Sequence, residues 1–204
     1  MEKTVIYPET EDKLRHEILT VNDGIVLMYA GPLEGFPQFM GRYNARTMIG
    51  IPNSDKGWPS FISLELHTSQ LMGRINQIEA SSLTEADLRY GTTREARMYA
   101  AAAALSAIRR QNLDLSILYA VAILNGKVET GIKETILFTG IDIAKVAGMS
   151  RETASRQMAD LRSSGKVTRR NKTYFIAREG HELLDLQILE DIVNTFLRPS
   201  ATHI

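Results

Sequence analysis

The 204-residue sequence contains no cysteine. Disulfides, thiolate nucleophiles, zinc–thiolate centres and cysteine-ligated iron–sulfur clusters are therefore excluded. Net charge is missing as well, 24 Lys and Arg offsetting 24 Asp and Glu. No stretch approaches the roughly 18 consecutive apolar residues that a membrane span needs. The opening MEKTVIYPETEDKL is too acidic and polar for a secretory signal. A cytoplasmic protein without a membrane partner is the expectation. Low-complexity tracts and fixed-period repeats are also lacking, which removes disordered, collagenous and solenoid architectures. What remains is an ordinary globular composition, 44% hydrophobic and 24% charged, on a chain long enough for one large or two small domains.

From Ile18 to about Glu79 the chain offers short apolar runs broken by Gly, Pro and Asn: Gly24–Tyr29, Gly35–Phe39, Met48–Ile51, Phe61–Leu66 and Ile75–Ile78. Closely spaced turn signals between such runs predict a β-roll or barrel. The break Pro52–Pro59 reads as a surface loop. At Ser82-Leu-Thr-Glu-Ala-Asp the character changes, with a Ser or Thr to cap a helix and acids for its first turn. The following alanine-rich segment, about Thr93 to Gln111, predicts one long helix. Met98, Ala101, Leu105 and Ile108 recur on it at alternating three- and four-residue steps, the spacing of a helix seam. That stripe is expected at a two-fold dimer interface, although burial against the chain's own core explains the same pattern.

A second apolar helix, Leu113 to Leu124, closes at Asn125-Gly126, and a connection over Lys127 to Phe138 follows. The last segment, Glu179 to Leu197, reads as a third helix. Leu186, Leu189, Ile192, Val193 and Phe196 share one face of it, with Leu183, Leu184 and Ile188 outside. Apolar residues on more than one side point to more than one neighbour, either the first half of the chain or a partner; a loosely amphipathic end helix is the plainer alternative.

The charge balance conceals a split. Between Thr139 and Arg178 lie nine Lys and Arg but only three acids, a net of +6, which leaves −6 on the rest. A basic module on an acidic body is the footprint of nucleic-acid binding, because phosphate neutralisation dominates non-specific affinity; a solvated basic face has the same composition. The order of residues goes further. Thr139 can cap a short helix whose Ile143, Ala144 and Ala147 face inward; Gly148 ends it, and Ser150 caps the next. In that second helix Ala154, Met158 and Leu161 form the buried stripe, leaving Arg151, Glu152, Ser155, Arg156 and Arg162 outward. An Arg in the first turn of a helix lying in the major groove can bind guanine O6 and N7 together, and Glu152 can accept from cytosine N4. Arg151, Glu152, Ser155 and Arg156 are the candidate base-reading residues. After Gly165, the strands Lys166–Arg169 and Thr173–Ile176 flank the polar tip Arg170-Asn171-Lys172, completing a winged helix-turn-helix. Arg170 and Lys172 suit phosphate contacts.

The run Gly148-Met-Ser-Arg-Glu-Thr-Ala-Ser-Arg156 resembles the recognition-helix motif of the Crp/Fnr family of transcription regulators. The resemblance is specific over about Thr139 to Ile176, and the order of sensor, long helix and connecting helix extends a weaker one over nearly the whole chain. It implies an α+β protein with a truncated β-roll like a cyclic-nucleotide-binding domain (1–88), a dimerisation helix (89–111) and a winged helix-turn-helix DNA-binding domain with an extra carboxy-terminal helix (112–204). It also implies a homodimer on a pseudo-palindromic operator of double-stranded DNA. By the same resemblance, residues matching Arg151, Glu152 and Arg156 read bases, and those matching Thr139, Ser150 and Thr153 contact the backbone. RNA polymerase and a small-molecule effector of unknown identity are candidate further partners.

The sensor half departs from the family. Around Met48–Ile51 there is no Gly-Glu followed by an Arg-Ser/Thr-Ala phosphate cradle, so a cyclic nucleotide is not expected, and the stretch before Gly24 looks short for a full roll. Haem through His67 or His16 competes with a structural or exposed role for either residue, and Arg42, Arg46 and Arg74 are either anion ligands or surface residues. No cofactor and no metal is expected. With no glycine-rich phosphate loop, metal-spaced His cluster or nucleophile–base set, neither is an enzyme. Two readings of the regulator stay open: a switch driven by an effector, and a constitutive DNA binder whose sensor is only a dimerisation scaffold.

Overall fold

Short apolar runs punctuated by turn residues pair as strands over the first eighty positions. In the computed structural model the described residues are 3–8, 18–21, 24–31, 37–44, 47–49, 58–67, 75–78, 83–125, 138–170, 173–185, 188, 191–192 and 195–196. The strands are β1 (Lys3–Ile6), β2 (Ile18–Val21), β3 (Ile25–Ala30), β4 (Gln38–Asn44), β5 (Thr47–Ile49), β6 (Ile62–His67) and β7 (Ile75–Ile78). They form two antiparallel sheets, ordered β1-β6-β3-β4 and β5-β2-β7. The stretch before Gly24, expected to be short for a roll, supplies two of these strands. Of the run Gly35–Phe39, Gln38 and Phe39 begin β4, and a bulge between Met28 and Tyr29 shifts the register of β3 against it.

The first sheet is covered on both sides. In β6, Ile62, Leu64 and Leu66 alternate with Ser63, Glu65 and His67, a pattern that predicts one dry face and one wet face. All six are buried. Residues opposite each other in register point the same way, so Glu65, Leu27 and Arg42 form one row, and His67, Ile25 and Asn44 the next. On the apolar side Gly41 lies against Met98, and the Tyr43 hydroxyl donates to Glu95 Oε1 at 2.9 Å. On the polar side sits the carboxy-terminal half of the chain. Arg42 Nη1 donates to the Leu124 carbonyl at 2.7 Å, and Asn44 Nδ2 to that of Phe196 at 3.3 Å. Glu65 is ion-paired with Lys145, and the His67 and Phe138 rings lie 5.2 Å apart. A buried polar row is costly unless it is paired, and these contacts pair most of it.

Helix α1 spans Glu85–Gln111 and starts earlier than the alanine-rich segment alone indicates, at a capping box between Thr84 and Asp87. Asn112 ends it and caps α2 (Leu113–Asn125), accepting from Leu115 N at 3.1 Å. The stripe expected at a dimer seam turns inward: Met98 (0% exposed), Ala101 (8%) and Leu105 (6%) are buried within the chain, and Ile108 is half-buried against the same core. The alternative of burial against the chain's own core holds for these four residues, since α1 lies on the apolar face of the first sheet.

The last predicted helix is divided. Helix α3 spans Gly140–Ala147, α4 Arg151–Ser163, and β8 (Val167–Arg170) pairs with β9 (Thr173–Ile176). Then α5 covers only Arg178–His181. Helical backbone resumes at Ile188, Asp191–Ile192 and Thr195–Phe196, behind a second cap in which Asp185 Oδ1 accepts from Ile188 N at 3.1 Å. Leu183 and Ile188, outside the expected stripe, are exposed, whereas Ile192 and Phe196 are buried. Phe196 packs on Phe39 of β4 with ring centroids 5.3 Å apart, so the contact with the first half of the chain is made. Leu186, Leu189 and Val193 lie outside the described residues, as does the connection from Gly126 to Leu137.

Candidate nucleic-acid interface

Two caps and one glycine fix the angle between α3 and α4. Asp142 Oδ2 accepts from the Thr139 backbone N–H at 2.6 Å and from its hydroxyl at 2.8 Å. At the other end Gly148 adopts φ 68° and ψ 36°, where its N–H donates to Lys145 O, and Met149 N donates to Ala144 O. Ser150 then caps α4, its Oγ accepting from Thr153 N at 3.1 Å. Glycine suits position 148, chiefly for its backbone. A side chain would be strained at that φ, and a Cβ there would come 2.5 Å from Arg109 Nη1. Arg109 donates to the Gly148 carbonyl, and Ser116 Oγ to that of Ala147 at 3.1 Å, so the ends of α1 and α2 hold the turn.

In α4, Ala154, Met158 and Leu161 are buried. That inward stripe leaves Arg151, Glu152, Ser155, Arg156 and Arg162 exposed along the opposite face. Thr139 is exposed; Ser150 and Thr153, committed to the cap, are half-buried. Glu152 carries a carboxyl held below the usual range, first by its own backbone N–H, then by the Ser150 hydroxyl, with Arg151 adding to the effect. It is ionised at neutral pH and turned back toward the start of the helix. Beside α4 the β8–β9 hairpin brings Arg169 and Arg170 to the surface, Arg169 lying over the Tyr174 ring at 5.3 Å. Asn125 Nδ2 donates to the Tyr174 carbonyl, tying the hairpin to α2. Lys172 and Asn171 at the tip lie outside the described residues.

The face therefore presents three arginines and one carboxylate from α4, with the basic hairpin alongside, all on side chains free to reach a ligand. Residues 115–191 match the family model of the Crp-like helix-turn-helix domain. Around that domain the fold of the whole chain is that of CRP-family regulators. A transcriptional regulator of the CRP family from Thermus thermophilus superposes with a TM-score of 0.64 at 16% identity, over 98% of this chain and 100% of that one. A second regulator from the same organism, of the CRP/FNR family, gives 0.61 at 17%, over 96% and 100%. FixK2 from Bradyrhizobium japonicum gives 0.57 at 14%, over 89% and 94%. No curated protein matches the sequence. Among the described residues no helix is long and apolar enough to cross a membrane.

The other basic candidates divide. Arg42 is buried and spent on the carbonyls of α2 and on Asn44 Oδ1 at 3.0 Å, which removes it as an anion ligand at the surface. Arg46, Arg74 and His16 lie outside the described residues. His67 is buried on β6. Sequence reasoning missed Arg109, Ser116 and Asn125, which hold the turn and the hairpin. Each acts on a carbonyl at least thirty residues away, and no local pattern marks such a partner.

Proposed function

We propose that the protein is a sequence-specific regulator that places α4 in the major groove of double-stranded DNA. Arg151, Glu152, Ser155 and Arg156 read base edges; Thr139, Ser150, Thr153, Arg170 and Lys172 contact the backbone. The observation that carries this reading is the division of α4, with its three apolar residues sealed inward and its arginines and Glu152 facing solvent beside a basic hairpin. A carboxylate has no use on a purely phosphate-facing surface, but cytosine N4 is a donor it can reach.

A homodimer on a two-fold operator accompanies this reading. With the Met98 stripe buried, the seam falls to the opposite face of α1. There Thr93, Ala96, Ala100 and Ala103 are exposed and Ala107 half-buried, at steps of three and four residues. Small side chains on such a stripe let two helices approach closely. The test is selection of bound fragments from a random DNA pool by the purified chain. A palindromic consensus with half-sites about one helical turn apart is expected; recovery of fragments without a shared sequence would refute base reading.

A further inference from the structure

We propose that Glu65, His67 and Asp142 form a binding site for a divalent first-row transition cation at the junction of the first sheet and the helix-turn-helix. Glu65 and His67 are two positions apart on β6 and share its polar face, and Asp142 lies in the first turn of α3. One ligand atom from each lies within 4.8 Å of the others, and all three residues are buried. Asp142 stands 75 positions beyond His67 in sequence, so no spacing motif reveals the set, and the expectation of no metal came from spacing alone.

His67 points to a ligand independently of the acids. Its ring is fully buried, and neither nitrogen has a hydrogen-bond partner. Nε2 lies 2.9 Å from Glu65 Oε1, an ion-pair distance for a protonated imidazole. Bonds of about 2.0–2.2 Å place adjacent ligands roughly 2.8–3.6 Å apart between octahedral and tetrahedral angles, and the spacing of these two donor atoms falls within that range. One imidazole with two carboxylates suits Zn²⁺, Fe²⁺ or Mn²⁺. Asp142 also caps α3 through Oδ2.

Two cations face this cluster from the neighbouring elements. Arg42 is held by the α2 carbonyls and lies 6.0 Å from the Phe138 ring. Lys145, on α3, is ion-paired with Glu65 Oε2 and is 26% exposed, where Glu65 is 1% exposed. The ammonium therefore occupies the charge position a metal would take, and its partial exposure gives it a path outward. A bound ion would tie β6 to the first helix of the helix-turn-helix in place of that ion pair.

The test is calorimetric titration of the chelator-stripped full chain with Zn²⁺, which needs no DNA and so separates this proposal from the function above. One equivalent is expected to bind, and His67→Gln is expected to weaken binding at least about tenfold. Lys145→Met is expected to tighten binding at least about tenfold by removing the competing charge. Absence of a stoichiometric site overturns the proposal, as does wild-type affinity in His67→Gln. Should His67→Gln fail to fold, unchanged affinity in Lys145→Met overturns it equally.

Discussion

Arg42 Nη1 on β4 donates to the carbonyl oxygen of Leu124, in the last turn of α2, at 2.7 Å, and the same nitrogen reaches the Ile123 carbonyl. The guanidinium thus caps a helix from a strand eighty positions earlier, where the helix dipole favours a cation. Burial lowers its pKa to about 9, so it stays charged at neutral pH. Arg42→Met leaves these two carbonyls and Asn44 Oδ1 without their donor. A loss of about 1–3 kcal/mol is expected, read as a lower urea midpoint at unchanged slope. An unchanged midpoint would show that relief of the buried charge balances the lost hydrogen bonds.

Gly148 and Gly165 both have positive φ, 68° and 74°, but differ in surroundings. A Cβ at Gly165 meets nothing within 4 Å, whereas one at Gly148 meets Arg109. Gly165→Ala should cost about 1–2 kcal/mol from backbone strain alone. Gly148→Ala should cost more and weaken DNA binding as well, because Arg109 must leave the Gly148 carbonyl. Thermal melts of the two variants, compared with a binding titration, check both parts.

Glu152 should titrate below an unstructured glutamate, because hydrogen bonds to its own N–H and to Ser150 favour the ionised form. The sign follows from the lowered value. Its favourable contribution is complete above the unfolded pKa and is lost as pH falls through the folded one. Carboxyl-detected NMR titration is expected to give a depressed midpoint, and Ser150→Ala to move it partly upward. A midpoint unmoved by Ser150→Ala would place the whole effect on the backbone.

The two faces of α1 should respond differently to substitution. Met98→Ala opens a cavity beside Gly41 in the chain's own core and is expected to cost about 2–5 kcal/mol. Ala100→Glu, on the exposed stripe, should leave the fold intact and convert a dimer to monomers in light scattering. Retention of the dimer in Ala100→Glu would move the seam elsewhere.

The helix-turn-helix was legible because every signal it needs is local: Thr139 and Ser150 as caps, Gly148 in the left-handed turn, Ala154, Met158 and Leu161 on one side of α4. The polar face of β6 was not legible. Ser63, Glu65 and His67 share a face, but what covers that face, α3 and Phe138, comes from seventy or more residues later. The α1 stripe failed for a related reason. Heptad steps occur on both Met98-Ala101-Leu105-Ile108 and Ala96-Ala100-Ala103-Ala107, and periodicity identifies a buried line without naming its partner. Asp185, whose Oδ1 accepts from Ile188 N, lies inside the segment read as one helix.

Base reading by α4 is tested most directly by fluorescence-anisotropy titration of the selected operator and its single-base-pair variants with wild type, Arg151→Ala and Arg170→Ala. Arg151→Ala is expected to lose about 1–3 kcal/mol on the selected site and to stop distinguishing one base pair. Arg170→Ala should weaken every sequence alike and reduce the salt slope by about one. Wild-type discrimination at every base pair in Arg151→Ala would contradict the placement of this helix face on the bases.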